Sequence, residues 1–159
     1  MNEPARPDVP TPAERLLSVL IATPSLTLRP PGHDAELVKR HQVLDGGRIR
    51  VELPADNCMT RHLVGDGRQP AVIETTDLVP VPVRDRIRSR ASLTGSPAPA
   101  DVATDDGELI ADFDVLSGEL TTSGQTLTVD PATLQAARPD PWPPWRSGCC
   151  ATSPTATST

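Results

Sequence analysis

Aromatic residues are nearly missing from this sequence. Of 159 residues one is Phe (Phe113), two are Trp (Trp142 and Trp145) and none is Tyr. A core must therefore be built from Leu, Val, Ile and Ala, and a site that stacks a planar ligand on an aromatic ring is disfavoured. Lysine is also scarce, Lys39 alone standing against 14 arginines. With abundant Ala, Pro and Gly, that ratio fits GC-rich coding. The three cysteines, Cys58, Cys149 and Cys150, form neither a disulfide framework nor a zinc spacing. No apolar run reaches the roughly 18 residues a membrane helix needs. The opening "MNEPARPDVP" is polar and proline-rich, unlike a signal peptide. A net charge of -6 opposes generic nucleic-acid binding. These absences predict a reduced, cytoplasmic, soluble protein with no membrane or nucleic-acid partner.

What is present is enough for one core. Leu, Ile, Val and Phe total 35 residues, about 22%, just above the level at which disorder becomes the default. Nineteen prolines are roughly twice the usual share. A compact middle with unstructured ends follows: a disordered N-terminus over 1–10, one domain over 11–140, and a disordered Pro/Ser/Thr tail over 141–159. That tail contains no Leu, Ile, Val, Met or Phe and no acidic residue, so it cannot build a core.

Within the domain, "TPAERLLSVLIA" predicts a helix. Thr11 is the N-cap, Pro12 the first helical residue and Glu14 the partner in a capping box. Leu16, Leu17, Leu20 and Ile21 form its apolar stripe, and Pro24 stops it. The period then changes to two. Strands are expected at 25–28, at 35–43 and at 48–53, where Ile49, Val51 and Leu53 alternate with Arg48, Arg50 and Glu52. Asp45-Gly46-Gly47 between the last two is hairpin chemistry. Residues 54–64 read as a loop with a short helical turn, 70–79 as a strand and 96–107 as a flexible linker. Residues 108–116 read as a strand with Leu109, Ala111, Phe113 and Val115 on one face. Residues 118–129 read as a hairpin turning near Ser123-Gly124. "DPATLQAAR" is a short helix capped by Asp130. One or two helices with seven or eight short strands give a mainly β, α+β domain. An antiparallel sheet with one apolar face closes most simply into a small barrel.

Arg84, Arg86, Arg88 and Arg90 stand at every second position of "RDRIRSRASLTG". On a helix they would scatter, residues two apart lying about 200° round the axis. On a strand they share one face, opposite Ile87, Ser89, Ala91 and Leu93. The first reading is a solvated or dimer-facing strand; one or two of the four could also grip a phosphate. His33, His41 and His62 read as surface or half-buried histidines, since no pair has metal-ligand spacing. Asp105-Asp106 and the Asp112/Asp114 pair read as solvated carboxylates. No phosphate-loop, dinucleotide or triad signature is present, and no catalytic or metal-ligating residue is assigned.

The order of segments in "RIRVELPADNCMTRHL…AVIETTDLVPVPVRDRIRSRASLTG…VDPATLQAARPDP" resembles the FMN-binding split-barrel proteins of pyridoxamine-phosphate-oxidase type. More narrowly it is similar to their haem-utilisation branch, whose C-terminal helical domain of unknown function would follow "ARPDP", where the tail stands here. The resemblance implies an antiparallel split β-barrel with an N-terminal helix and a short C-terminal helix, working as a homodimer. It further implies FMN, or haem as the alternative, held at the dimer interface, with oxidoreductase activity open. By it the cofactor-binding positions are Arg40, His41, Asn57, Arg61 and Arg90, guanidinium groups on strands being suited to phosphate. A non-catalytic binding or regulatory barrel that has lost the flavin site is the rival reading.

Overall fold

A computed structural model describes residues 9–65, 68–78, 87–100 and 107–139. The chain runs through helix α1 (Pro12–Ala22) and strands β1 (Thr27–Arg29), β2 (Glu36–Leu37), β3 (Arg40–Val43) and β4 (Ile49–Leu53). Helix α2 (Cys58–Gly65), strands β5 (Ala71–Leu78), β6 (Ile87–Pro99), β7 (Leu109–Thr122) and β8 (Gln125–Val129), and helix α3 (Pro131–Ala136) complete it.

The strands form one antiparallel sheet in the order β2-β1-β5-β6-β7-β4-β3, with β8 added on β7. β2 and β3 are the two ends of that path, yet only Val38 and Lys39 separate them in sequence. Three Cα steps reach about 11 Å at most, so the sheet must curl until its ends meet. The linking residues show the seam. Val38 N–H donates to the Leu26 carbonyl on the β1 side, at 2.9 Å, and Lys39 N–H donates to the Glu52 carbonyl in β4, at 3.0 Å. The result is a curled antiparallel half-barrel closed by covalent chain, in accord with the expected split barrel.

The core follows from period two. Ile49, Val51 and Leu53 of β4, Ala91 and Leu93 of β6, and Ala111 and Phe113 of β7 are all buried. Helix α1 covers them with Leu16, Leu17 and Leu20. Thr11 caps it with the complete capping box. Ile21, expected in the stripe, is instead 53% exposed; the helix rotates its Leu16–Leu20 line inward and leaves Ile21 at the margin. Asp130 caps α3 by accepting from the Thr133 N–H at 2.9 Å.

Four boundaries differ from expectation. Residues 35–43 form two strands, because the chain crosses the seam between them. Residues 58–65 form a full helix, α2, on which Met59 and Leu63 are buried one turn apart. The expected linker from 96 begins as strand: Ser96 to Pro99 continue β6 against β7. Pro97 and Pro99 are tolerated because Ala100 N–H donates to the Ile110 carbonyl. By alternation the even positions serve β7, and the prolines turn towards a side that β5 does not cover, its first residue Ala71 lying opposite Gly95. Finally, β7 is one strand of 14 residues where a strand and a hairpin were expected. The register shifts between Thr94 and Gly95 against Ser117 and Val115. Leu116 bulges out, and burial moves from odd to even positions. The turn at Ser123-Gly124 matches expectation; φ values of 47° and 80° suit a two-residue hairpin.

Candidate functional site

β5, β6 and β7 present their polar sides on the outside of the barrel. Register places Thr76, Arg90 and Thr121 in one row across the three strands, and Glu74, Ser92 and Glu119 in the next. The inward neighbours Ser89, Ala91 and Leu93 are buried, so Arg90 faces outward because its strand-mates must face the core. The two rows floor a cleft of about 620 Å³, completed by Ser25 and Thr27 from the β1 side.

The donors in this cleft can be counted. The Thr75 hydroxyl donates to the Ser25 carbonyl (3.1 Å) and the Thr27 hydroxyl to the Glu74 carbonyl (3.3 Å). Thr121 shares a hydroxyl bond with Thr126 at 2.9 Å. Glu74 is engaged by Arg29 at 3.3 Å. Among the described residues Arg90 has no ion-pair partner. Its guanidinium and the Thr76 hydroxyl, with the Thr121 hydroxyl where Thr126 is the donor of their shared bond, form a donor row suited to an oxyanion. Glu74 and Glu119 stand diagonally from it, about 7–8 Å away by sheet geometry, and make the Ser92 end less welcoming to a dianion.

The other four expected residues lie elsewhere. Arg40 is on β3, where its guanidinium meets Glu52 at 3.6 Å, in a group that also joins Lys39 to Glu52 and Glu108. The bond to Glu108 holds the Lys39 ammonium above its ordinary value. His41 Nε2 lies 2.7 Å from the Leu20 carbonyl, so as an N–H it satisfies an orphan carbonyl in the last turn of α1. Asn57 is buried, and its side-chain oxygen accepts the Met59 N–H at 2.8 Å; it is the N-cap of α2. Arg61 is exposed on that helix. Arg40 pairs with Glu52, which pairs with Ile110 of β7, whereas Arg90 pairs with Thr121 of the same strand. Those two points are eleven residues apart, a contour of about 36 Å at ~3.3 Å per residue. One subunit therefore does not gather Arg40 and Arg90. Arg84 and Arg86 fall outside the described residues, as does the side chain of Arg88.

A second group was missed by sequence spacing. His33, Cys58 and His62 converge, their ligand atoms lying within 4.8 Å of one another. The signal for two of the three was present: Cys58 and His62 are four residues apart, which on a helix means one face. Reading 54–64 as a loop hid that spacing.

This architecture has solved counterparts. A structure search returns the Mycobacterium smegmatis protein described as haem-binding at TM-score 0.66 and 18% identity, covering 84% of this chain and 63% of that one. The likeness is one of fold, a curled antiparallel half-barrel. A Clostridium acetobutylicum protein related to general stress protein 26, of the pyridoxine-phosphate oxidase family, aligns at TM-score 0.51 and 10% identity over 76% of this chain and 96% of its own. A Jannaschia sp. CCS1 protein described as a general stress protein 26 aligns at 0.52 and 15%, over 74% and 94% respectively. This chain thus spans less than two thirds of the Mycobacterium smegmatis protein and nearly the whole of the stress proteins. Scans of the sequence against family models and curated proteins return no match.

Proposed function

We propose that this split barrel binds FMN or a closely related phosphate-bearing cofactor as a homodimer, with the phosphate on the Thr76–Arg90–Thr121 row. The supporting observation is a guanidinium without an ion-pair partner among the described residues, set between two hydroxyls on a rigid sheet. That donor set fits a phosphate. The described lining of the cleft offers no aromatic ring, so the flat part of the cofactor would rest on the partner subunit. When bound, a flavin supplies hydride or single-electron transfer; this chain's residues bind and orient it. In the homodimer, Arg40 of the partner subunit would approach what Arg40 does not reach within one subunit.

The rival is a regulatory barrel without cofactor, favoured by the two carboxylates beside Arg90. The visible spectrum of the purified protein, incubated with FMN or haem and then gel-filtered, separates the readings. Flavin bands that co-elute, and that Arg90→Ala reduces at least tenfold in affinity, support the proposal. A retained Soret band transfers it to haem, the ligand of the Mycobacterium smegmatis neighbour. A colourless protein in both experiments refutes it in favour of the rival.

A further inference from the structure

The His33–Cys58–His62 group lies apart from the Arg90 cleft, and none of its members lines that cleft. Each member is placed by a separate local device. His33 closes a turn after β1, its N–H donating to the Pro30 carbonyl at 3.3 Å. Pro31 presets its own φ, and Gly32 supplies the φ of 72° that the third position of a type II turn requires. Cys58 and His62 are held one turn apart on α2, whose first turn is fixed by the Asn57 cap. The Glu36 carboxylate also accepts the Cys58 N–H at 2.8 Å, which ties β2 to the helix and sets a negative charge beside the group.

The distances are those of a coordination polyhedron. The Nε2 atoms of His33 and His62 are 3.2 Å apart, with ring centroids at 5.0 Å and planes inclined by 60°. Two N–H donors cannot face each other so closely, so one nitrogen accepts, or both face a cation. In a tetrahedral Zn²⁺ site with Zn–N of about 2.05 Å, two nitrogens lie roughly 3.3 Å apart; with Zn–S of about 2.3 Å, sulfur and nitrogen lie roughly 3.6 Å apart. Since all three ligand atoms are already within 4.8 Å, the thiol has at most about 1.2 Å to close, within reach of a side-chain torsion. The soft sulfur with two imidazoles selects Zn²⁺-like cations over Mg²⁺ or Ca²⁺.

We propose that His33, Cys58 and His62 bind a Zn²⁺-class divalent cation, with water or a small anion in the fourth position. Binding releases the thiol proton to solvent, and Glu36 acts as an outer partner that holds the Cys58 backbone in place. The cation would fasten the β1–β2 turn to α2, adding to the Glu36 bond and the His33–His62 contact.

The test is a Co²⁺ titration of the full chain carrying Cys149→Ser and Cys150→Ser, which removes the two other thiols. The expected result is a thiolate-to-cobalt charge-transfer band with intense tetrahedral d–d bands. These should saturate at one equivalent and be bleached by Zn²⁺. Adding Cys58→Ser should abolish the charge-transfer band. His33→Ala, an exposed turn residue whose loss leaves the fold intact, should weaken Co²⁺ binding roughly tenfold or more. Absence of the band in the parent overturns the proposal. So does its survival in Cys58→Ser, or unchanged affinity in His33→Ala. None of these readouts depends on flavin or on Arg90, so the two proposals fail separately.

Discussion

Replacing Gly95 by alanine should be among the most damaging small changes available to this barrel. Gly95 stands where β6 shifts register against β7. A Cβ there would lie 2.2 Å from the Asp114 carbonyl oxygen and 2.5 Å and 2.8 Å from two atoms of the Phe113 ring. Carbon and oxygen need more than 3 Å, so something must move by about 1 Å. The nearest atom is backbone in the ladder's own partner strand, and the ring is fully buried, so neither gives way cheaply. Overpacking of this kind costs typically 1–3 kcal/mol and occasionally more; with backbone as the obstacle, about 3 kcal/mol is the expected value. For a urea m-value of about 1.5–2 kcal/mol/M, that is a midpoint drop of roughly 1.5–2 M. Gly65→Ala is the control. It ends α2 with nothing within 4 Å of its Cβ, and should change stability by no more than about 0.5 kcal/mol. Equal midpoints for the two variants would refute the assignment of the bulge and of the register shift at Gly95.

Three further outcomes follow from named contacts. Leu20→Ala removes a fully buried side chain of α1 and should cost about 2–5 kcal/mol in urea unfolding; a loss below 1 kcal/mol would mean that the helix does not cover the core. Asn57→Ala deletes the cap of α2 and should cost about 1 kcal/mol, with Co²⁺ affinity falling alongside because Cys58 and His62 ride on that helix. The third concerns acid. Arg50 donates to Asp112 through two bonds of 2.7 Å and 3.0 Å across the β4–β7 pair. That hydrogen bonding, ahead of the opposing effect of desolvation, holds Asp112 below its ordinary 3.8. A lowered folded value means the stabilisation is whole above 3.8 and is lost as pH falls through the lower folded value. The melting temperature of Asp112→Asn should therefore fall less steeply than wild type on acidification below that point, and parallel curves would refute the pairing.

The period of the sequence carried most of the fold, and the places where it misled have physical causes. Alternation at Ile49, Val51 and Leu53 predicts burial because a half-exposed strand has only two faces. The same rule stopped short inside β7, since the bulge at Leu116 resets the alternation and looks locally like the end of a strand. Prolines at 97 and 99 argued for a linker because a central strand cannot lose its N–H groups. Whether a strand is central is a property of the neighbours, and there β5 does not lie alongside. Helix α2 has only eight residues, so its apolar pair Met59 and Leu63 was too brief a signal beside Pro54 and Asn57.

The candidate site divides along the same line. That Arg90 faces away from the core could be read from its own strand, because Ala91 and Leu93 claim the inside. Its companions could not. Thr76 and Thr121 join it only through register, which is set 14 and 31 positions away along the chain. Asn57 and His41 came from the family resemblance, and their side chains meet backbone groups: a helix N–H in one case, a helix carbonyl in the other. The histidine–cysteine group reverses this. Cys58 and His62 are a local pair, but the third ligand arrives from a Pro-Pro-Gly turn 25 residues earlier, and no spacing rule connects them. The sheet's seam does so, since β2 must return beside α2 for the chain to cross from one edge to the other. A site of that kind is a consequence of closure, and it becomes visible only once the barrel is closed.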